Sequence, residues 1–342
     1  MNILFLMYPW EKINPDEDST IRIIHECVSR KHTVALATVH NLTMRESTGM
    51  AFCNVFVKSD AVSSNVSTFY KKARFRKVKL PLGGFDAIIM RSNPPLNVTA
   101  LNFLDSVRDD VFIMNDIDGL RVANNKLYTS SFDDPDNRFI PKTYVSKTAE
   151  YLESVLEDSA TDKMIMKPLD GYGGHGVIMV EKQALNSFRS LLDFYINSTK
   201  NGSYIILQEY VEGADQGDVR ILMLNGEPVG AMKRVPATGD VRSNVHAGGS
   251  VVKHSLSKRE KELCKLVGPK LVRDGLYFVG IDVINGKLIE VNVLSPGGIM
   301  RINKLNRVKL QIKIVDFVEN VVNTKNTIQA RKTEFTKAIA DD

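Results

Sequence analysis

Lys167-Pro168-Leu169-Asp170-Gly171-Tyr172-Gly173-Gly174-His175-Gly176 contains a GxGxxG pattern at Gly171, Gly173 and Gly176, and what flanks it decides the fold. In a dinucleotide-binding unit such a loop follows a strand and opens a helix, because the helix N-terminus holds the pyrophosphate. Here Met164 to Met166 reads as a strand, and the loop runs on into Val177-Ile178-Met179-Val180, which favours a second strand. The dinucleotide reading therefore fails on context, and no GxxxxGK[ST] phosphate loop occurs. What remains is a glycine-rich connection between strands, able to lie over a phosphate chain with its backbone N–H groups while Lys167 supplies a point charge. A plain glycine-rich hairpin fits the loop equally well, so its meaning depends on a partner that binds metal.

Such a partner lies about a hundred residues on, in Phe278-Val279-Gly280-Ile281-Asp282-Val283-Ile284-Asn285-Gly286-Lys287-Leu288-Ile289-Glu290-Val291-Asn292. Glu290 and Asn292 are two apart on a predicted strand and share one face. Both offer the oxygen donors that magnesium prefers. Asp282 joins them only if the turn allows it. A two-residue Asn285-Gly286 turn pairs Asp282 with Ile289 and sends Glu290 to the other face. A three-residue loop, Asn285 to Lys287, sets Asp282 opposite Glu290, and the metal reading needs this second arrangement. Solvent-facing acids on an edge hairpin are the bland alternative; the apolar run on either side and the lack of a nearby balancing cation weigh against it.

Between loop and hairpin stand Asp218-Val219-Arg220, Lys233-Arg234 and Arg242-Ser243-Asn244-Val245-His246-Ala247-Gly248-Gly249. Arginines beside glycine and asparagine suit bidentate capture of phosphate and carboxylate oxygens, although surface arginines are common. Their position between a phosphate loop and a magnesium site raises their interest.

Around this centre the first part of the chain alternates short apolar runs with helical patterns. Ile3 to Met7 is followed by Ile21, Ile24 and Val28 at helical spacing, then Thr33 to Val39, Ala87 to Met90, a helix near Val98 to Val107, and Val111 to Met114. That alternation implies an open α/β sheet. Ser59 to Arg76, polar and then basic, is expected to be a mobile insertion. Later come a helical stretch around Lys126, β-like runs from Tyr204 onward and a helix near Lys258 to Val272. Thr324 to Asp342 lacks apolar periodicity and is expected to end in disorder.

The 342 residues suffice for two or three domains, and 43% hydrophobic with 25% charged residues is ordinary globular composition. Forty-five basic against 40 acidic residues are interspersed, which argues against a nucleic-acid partner. No apolar run approaches the roughly 20 residues of a membrane span, and the start lacks a secretory pattern. Cys27, Cys53 and Cys264 are far apart and outside any CxxC pattern, so free thiols in a reducing cytoplasm are expected.

Taken in order, Arg91-Ser92-Asn93-Pro94-Pro95, Lys126, Lys167 to Gly174, Gln208-Glu209-Tyr210-Val211, Asp218 to Arg220, Arg234, Arg242 to Gly249 and Phe278 to Pro296 resemble the ATP-grasp superfamily. The resemblance is closest to the bacterial-type glutathione synthetase family and spans the chain to about Leu310. It implies α/β and α+β parts: an open α/β substrate domain (residues 1–118), a small lid (119–205), an α+β domain for ATP and metal (206–325) and a tail (326–342). It implies that Lys126 and Lys167 hold ATP phosphates, with Gly171, Gly173 and Gly174 in the lid loop. Gln208, Glu209, Tyr210, Val211 and Asp218 would form the rest of the nucleotide site. Asp282, Glu290 and Asn292 would hold Mg2+, with Mn2+ as an alternative, and Arg220, Arg234, Arg242 and Asn244 would serve the reacting groups.

The activity implied is ATP-dependent joining of γ-glutamylcysteine and glycine through an acyl phosphate, by a cytoplasmic homo-oligomer with neither membrane nor nucleic acid as partner. Phosphoryl transfer needs positioning and charge neutralisation more than a nucleophilic side chain, and the inventory fits that. Departures from the family pattern occur at Asn14 to Thr20, at Ser92-Asn93 and at Leu294-Ser295-Pro296-Gly297-Gly298. Arg242 to Asn244 with His246 also resembles ligases that add glutamate to ribosomal protein. Two alternatives therefore stand beside the first: another amino-acid ligase of the superfamily, and a nucleotide-binding regulatory protein without turnover.

Overall fold

The computed structural model describes residues 1–58, 62–169, 176–197, 202–236 and 249–340. It divides into two compact units: Met1–Arg121 with Gly275–Phe278 and Leu294–Asp342, and Val122–Asp274 with Val279–Val293.

The first unit is built on a seven-stranded sheet. Its strands are β1 (Asn2–Met7), β2 (Thr33–Ala37), β3 (Leu42–Arg45), β4 (Thr48–Phe56), β5 (Phe75–Pro81), β6 (Ala87–Arg91) and β7 (Phe112–Met114). The order is β3-β4-β2-β1-β6-β7, with β5 also on β4. β2, β1, β6 and β7 run parallel. Continuous apolar runs such as Ile3 to Met7 and Ala87 to Met90 make such strands, because both faces are covered. Helix α1 (Ser19–Ser29) starts at Asp18, whose carboxylate accepts the Ile21 N–H at 2.9 Å, and buries Ile21, Ile23, Ile24 and Cys27.

The stretch Ser59 to Arg76, expected to be a mobile insertion, is instead structured over most of its described length. It contributes α2 (Val66–Lys72) and the start of β5. Phe69 is buried, and Trp10 stacks on Tyr70 at 4.8 Å and meets Phe75 at 5.2 Å. A few aromatic anchors outweigh the polar composition around them. Helices α3 (Val98–Asp105) and α4 (Ile117–Ala123) follow.

The second unit carries two sheets. The four-stranded one, order β10-β9-β11-β8, contains β8 (Thr143–Ser146), β9 (Lys163–Pro168), β10 (Ile178–Glu181) and β11 (Ile205–Glu209). All its neighbours are antiparallel, so the glycine-rich loop does connect two paired strands. Helices α5 (Ala149–Asp158) and α6 (Leu185–Ile196) cover one face, burying Leu152, Leu156, Met166, Phe188 and Leu192. The five-stranded sheet has the order β14-β13-β12-β15-β16. It comprises β12 (Asp218–Leu224), β13 (Glu227–Val235), β14 (Ser250–Lys253), β15 (Phe278–Ile284) and β16 (Lys287–Asn292). Helix α7 (Lys258–Arg273) opens on a capping box between Ser257 and Glu260.

Two helices close the chain in the first unit, α8 (Ile299–Asn306) and α9 (Leu310–Ala340). The early turns of α9 bury Leu310, Ile314, Val315, Val318 and Val322, and Arg30 reaches Asp316 and Glu319 at 2.7 Å. Thr324 to Ala340, at the end expected to finish in disorder, continue this helix, and Asp341 and Asp342 lie outside the described residues. An already nucleated helix can extend through good helix formers such as Gln329 to Lys332 without an apolar stripe. The boundaries expected at 118/119, 205/206 and 325/326 fall within α4, β11 and α9.

Candidate active site

The acidic hairpin is the hinge of the site. Its turn has two residues, Asn285 and Gly286, both at positive φ (47° and 72°), and Ile284 pairs with Lys287. That turn alone would set Asp282 against Ile289. A register shift between Asp282 and Val283 inserts Ile289 as an extra residue, so Asp282 faces Glu290 and Gly280 faces Asn292. The facing acids arise from a bulge, not from the longer loop.

On this face Asp282 is buried and receives Arg220 in a two-pronged pair, through Nε and, at 2.9 Å, through Nη2. Arg234 Nη2 lies 3.0 Å from the same carboxylate. Asp218, directly across from Arg234 in the ladder, takes Arg234 Nε at 2.7 Å and Nη2 on its other oxygen. Asp218, expected among the nucleotide-binding residues, is thus the clamp on Arg234. Gly217 permits this closeness, since a Cβ there would sit 1.9 Å from the Arg234 carbonyl oxygen at a φ of +94°. Burial alone would raise the Asp282 pKa, but Arg220 and Arg234 pull it down to about 2. Burial works against the Arg234 charge too, and Asp282 and Asp218 more than restore it.

Glu290 behaves differently. Burial raises its proton affinity, the Asp282 charge raises it further, and Lys126, Lys167 and Arg220 oppose. Among the described residues its carboxylate accepts no hydrogen bond. Asn292 donates its amide to Asp282 at 3.1 Å, which leaves its own oxygen as an acceptor. Among the described residues two guanidiniums therefore face three carboxylates on this sheet, and the Glu290 and Asn292 oxygens form the hard donor set that a divalent cation suits. Asp282 already has both oxygens engaged.

The four-stranded sheet supplies cations. Lys167 is 5% exposed, donates to Gln208 Oε1 at 3.0 Å, and is steadied through Gln208 by Thr143 at 2.8 Å. Burial lowers its pKa to about 8, with Glu290 opposing and Lys126 adding to the fall. Lys126 Nζ donates to the Pro168 carbonyl at 3.1 Å. Its short helical turn, Lys126–Ser131, is pinned by Tyr128, whose hydroxyl donates to Asp274 at 2.7 Å beneath Lys270. Glu209 accepts from the Lys142 N–H and from Lys287 Nζ, each at 3.1 Å; Val211 is buried and Tyr210 half-buried. Arg242, Asn244, Gly171, Gly173 and Gly174 lie outside the described residues.

The structure thus joins Asp218, Arg220, Arg234, Asp282 and Asn292 by direct contact and brings Glu290, Lys126 and Lys167 within electrostatic reach. Sequence reading missed Thr143, Lys142, Lys287 and the Tyr128–Asp274 clasp. No motif marks them, and in the structure each contacts another residue of the site.

Paired antiparallel sheets carrying a glycine-rich connection, two lysines and an acidic hairpin define an ATP-grasp ligase. The D-alanine–D-alanine ligase of Coxiella burnetii has the same fold, with a TM-score of 0.60 over 98% of this chain and 99% of that one at 9% identity. Residues 125–307 match the family model of the prokaryotic glutathione synthetase ATP-grasp domain, and residues 1–121 that of its N-terminal domain. The glutathione synthetase of Gloeobacter violaceus is 36% identical over 328 residues, covering 93% of this chain and 96% of the relative. That of Bradyrhizobium diazoefficiens is 33% identical over 322 residues, covering 93% and 98%. The chain belongs to the prokaryotic glutathione synthetase family, and it is an ATP-dependent ligase that forms a peptide bond between small-molecule substrates.

Proposed function

We propose that this ligase joins γ-glutamylcysteine to glycine, with release of ADP and phosphate, in the cytoplasm. The observation that carries the reading is the single sheet face on which Arg220, Arg234, Asp218, Asp282, Glu290 and Asn292 converge, among the described residues three carboxylates against two guanidiniums. The buried, unoxidised Cys27, Cys53 and Cys264 accord with a reducing compartment.

In the proposed sequence the cysteinyl carboxylate oxygen attacks the γ-phosphorus of ATP. The O–P bond forms as the bond to ADP breaks. The glycine nitrogen then attacks the acyl carbon, loses a proton, and phosphate leaves as the C–N bond forms. Lys126 and Lys167 hold the phosphate chain, and Glu209 to Val211 line the adenine. Arg220 and Arg234, fixed by Asp282 and Asp218, present positive charge where the transferred phosphoryl group is held. Because their partners prevent reorientation, little reorganisation is required as charge shifts. A magnesium ion, or manganese in its place, held by Glu290 and Asn292 beside Asp282 would neutralise phosphate oxygens.

The test is product stoichiometry across a panel of acids and amines. γ-Glutamylcysteine, glycine and magnesium-ATP should give glutathione and ADP in equal amounts, and hydroxylamine should trap a hydroxamate when glycine is left out. ADP release only with another acid or amine would transfer the reading to a different ligase. ATP binding with no ADP from any pair would favour a regulatory protein instead.

A further inference from the structure

A second polar centre lies in the first unit, and its interpretation rests on the ligase reading. β1 and β6 run side by side and parallel, with Met7 opposite Arg91 at their carboxyl ends. The chain leaves β1 for β2 on one side and later returns to β6 on the other, so this pair is where the strand order reverses. In open α/β sheets ligands bind outside the carboxyl ends of the strands at such a point.

Three segments meet there. Arg91 Nε donates to Thr20 Oγ1 in the first turn of α1 at 3.0 Å, and its Nη2 donates to the Pro296 carbonyl at 3.1 Å. Ser19 Oγ accepts from the Gly298 and Ile299 N–H groups, both at 3.0 Å. Tyr8, just past β1, donates to Asp18 and lies 3.2 Å from Thr20 Oγ1. These contacts gather Tyr8, Asp18 to Thr20, Arg91 and Pro296 to Ile299 at one place.

Arg91 is 2% exposed, and its Nη1 has no hydrogen-bond partner among the described residues. Nor does it form an ion pair there, its polar partners being a hydroxyl and a carbonyl. Buried charges are ordinarily paired, and a guanidinium offers a fork matched to a carboxylate. We propose that Arg91 receives, through Nη1, a non-reacting α-carboxylate of an amino-acid substrate, either the glutamyl or the glycine one, and so determines specificity.

Calorimetric binding tests this without turnover. γ-Glutamylcysteine, its glutamyl α-carboxamide, glycine and glycinamide are titrated into the wild type, Arg91→Lys and Arg91→Met with a non-hydrolysable ATP analogue present. In the wild type one carboxamide should bind about 100-fold more weakly than its parent, since a charged hydrogen bond is lost. In Arg91→Met that gap should shrink to within about three-fold while analogue affinity stays within about two-fold. The carboxamide that shows the gap identifies which carboxylate is held. No gap in the wild type, a gap that persists in the variant, or loss of nucleotide binding would overturn the proposal. If Arg91→Met fails to fold by thermal melting, Arg91→Lys decides by the same criterion. A gap seen without glutathione formation would strike the proposed reaction and leave this site standing.

Discussion

Arg234 on the five-stranded sheet and Lys167 on the four-stranded sheet are both buried cations, yet their proton affinities move in opposite directions. Burial opposes the charge of each. Arg234 sits between two carboxylates that more than compensate, whereas the polar contact of Lys167 is a neutral amide and its pKa falls to about 8. Partners, not depth, decide how a buried charge behaves. The five-stranded sheet therefore holds a frame whose charges are already matched internally. The four-stranded sheet holds a cation whose direct polar contact is neutral and whose opposing charge, Glu290, acts at longer range.

The largest effect should come from Glu290, the acid of the frame that no guanidinium clamps among the described residues. Glu290→Gln removes a negative charge from the proposed metal site, and ADP release should fall on the order of 1000-fold. Mn2+ binding with a non-hydrolysable ATP analogue, followed by water proton relaxation, should weaken in parallel. Undiminished turnover and unchanged Mn2+ affinity would remove Glu290 from the site.

Breaking the internal match should cost stability as well as activity. Arg220→Met leaves Asp282 with one guanidinium instead of two, and removing one partner of a buried pair costs about 3–5 kcal/mol. The pH dependence carries the sign. The folded Asp282 pKa, about 2, lies below that of an unfolded aspartate, so its contribution is present above the unfolded value and is lost as pH falls through about 2. Arg220→Met should therefore reduce the stability difference between neutral and acidic solution, measured by denaturant titration. An unaltered pH profile would mean that the pair does not hold Asp282 ionised.

A smaller and more specific effect belongs to Lys167. Its charged form prevails below about pH 8 and is lost as pH rises through that value. Binding of an ATP analogue should weaken above about pH 8 in the wild type, and Lys167→Arg, which does not titrate there, should abolish the break. Gln208→Ala, which removes an acceptor from a buried ammonium, should move the break to lower pH. A break that survives Lys167→Arg would assign the titration elsewhere.

The two sheets also differ in how far the sequence revealed them. Glu290 and Asn292 were legible because a period of two places them on one face, and Lys167 because it precedes a glycine-rich connection. Facing of Asp282 and Glu290 was legible only as an alternative. It depends on the bulge at Ile289, which no local residue signals. The clamp of Asp218 on Arg234 was not legible, because a carboxylate two residues from one arginine gives no hint that it holds another across the ladder. In the first unit the parallel strands were plain from apolar runs. The hairpin of β3 and β4, exposed in part and flanked by polar residues, was not. The helical tail escaped notice because its second half buries almost nothing.

The central claim is that the charge frame serves a carboxylate activated by ATP. Oxygen transfer tests it most directly. With γ-glutamylcysteine labelled with 18O in its cysteinyl carboxylate, glycine and magnesium-ATP, mass spectrometry of the released phosphate should find one carboxylate-derived oxygen per turnover. Glutathione formed while the phosphate remains unlabelled would contradict the acyl phosphate and the role assigned to Arg220 and Arg234 with it.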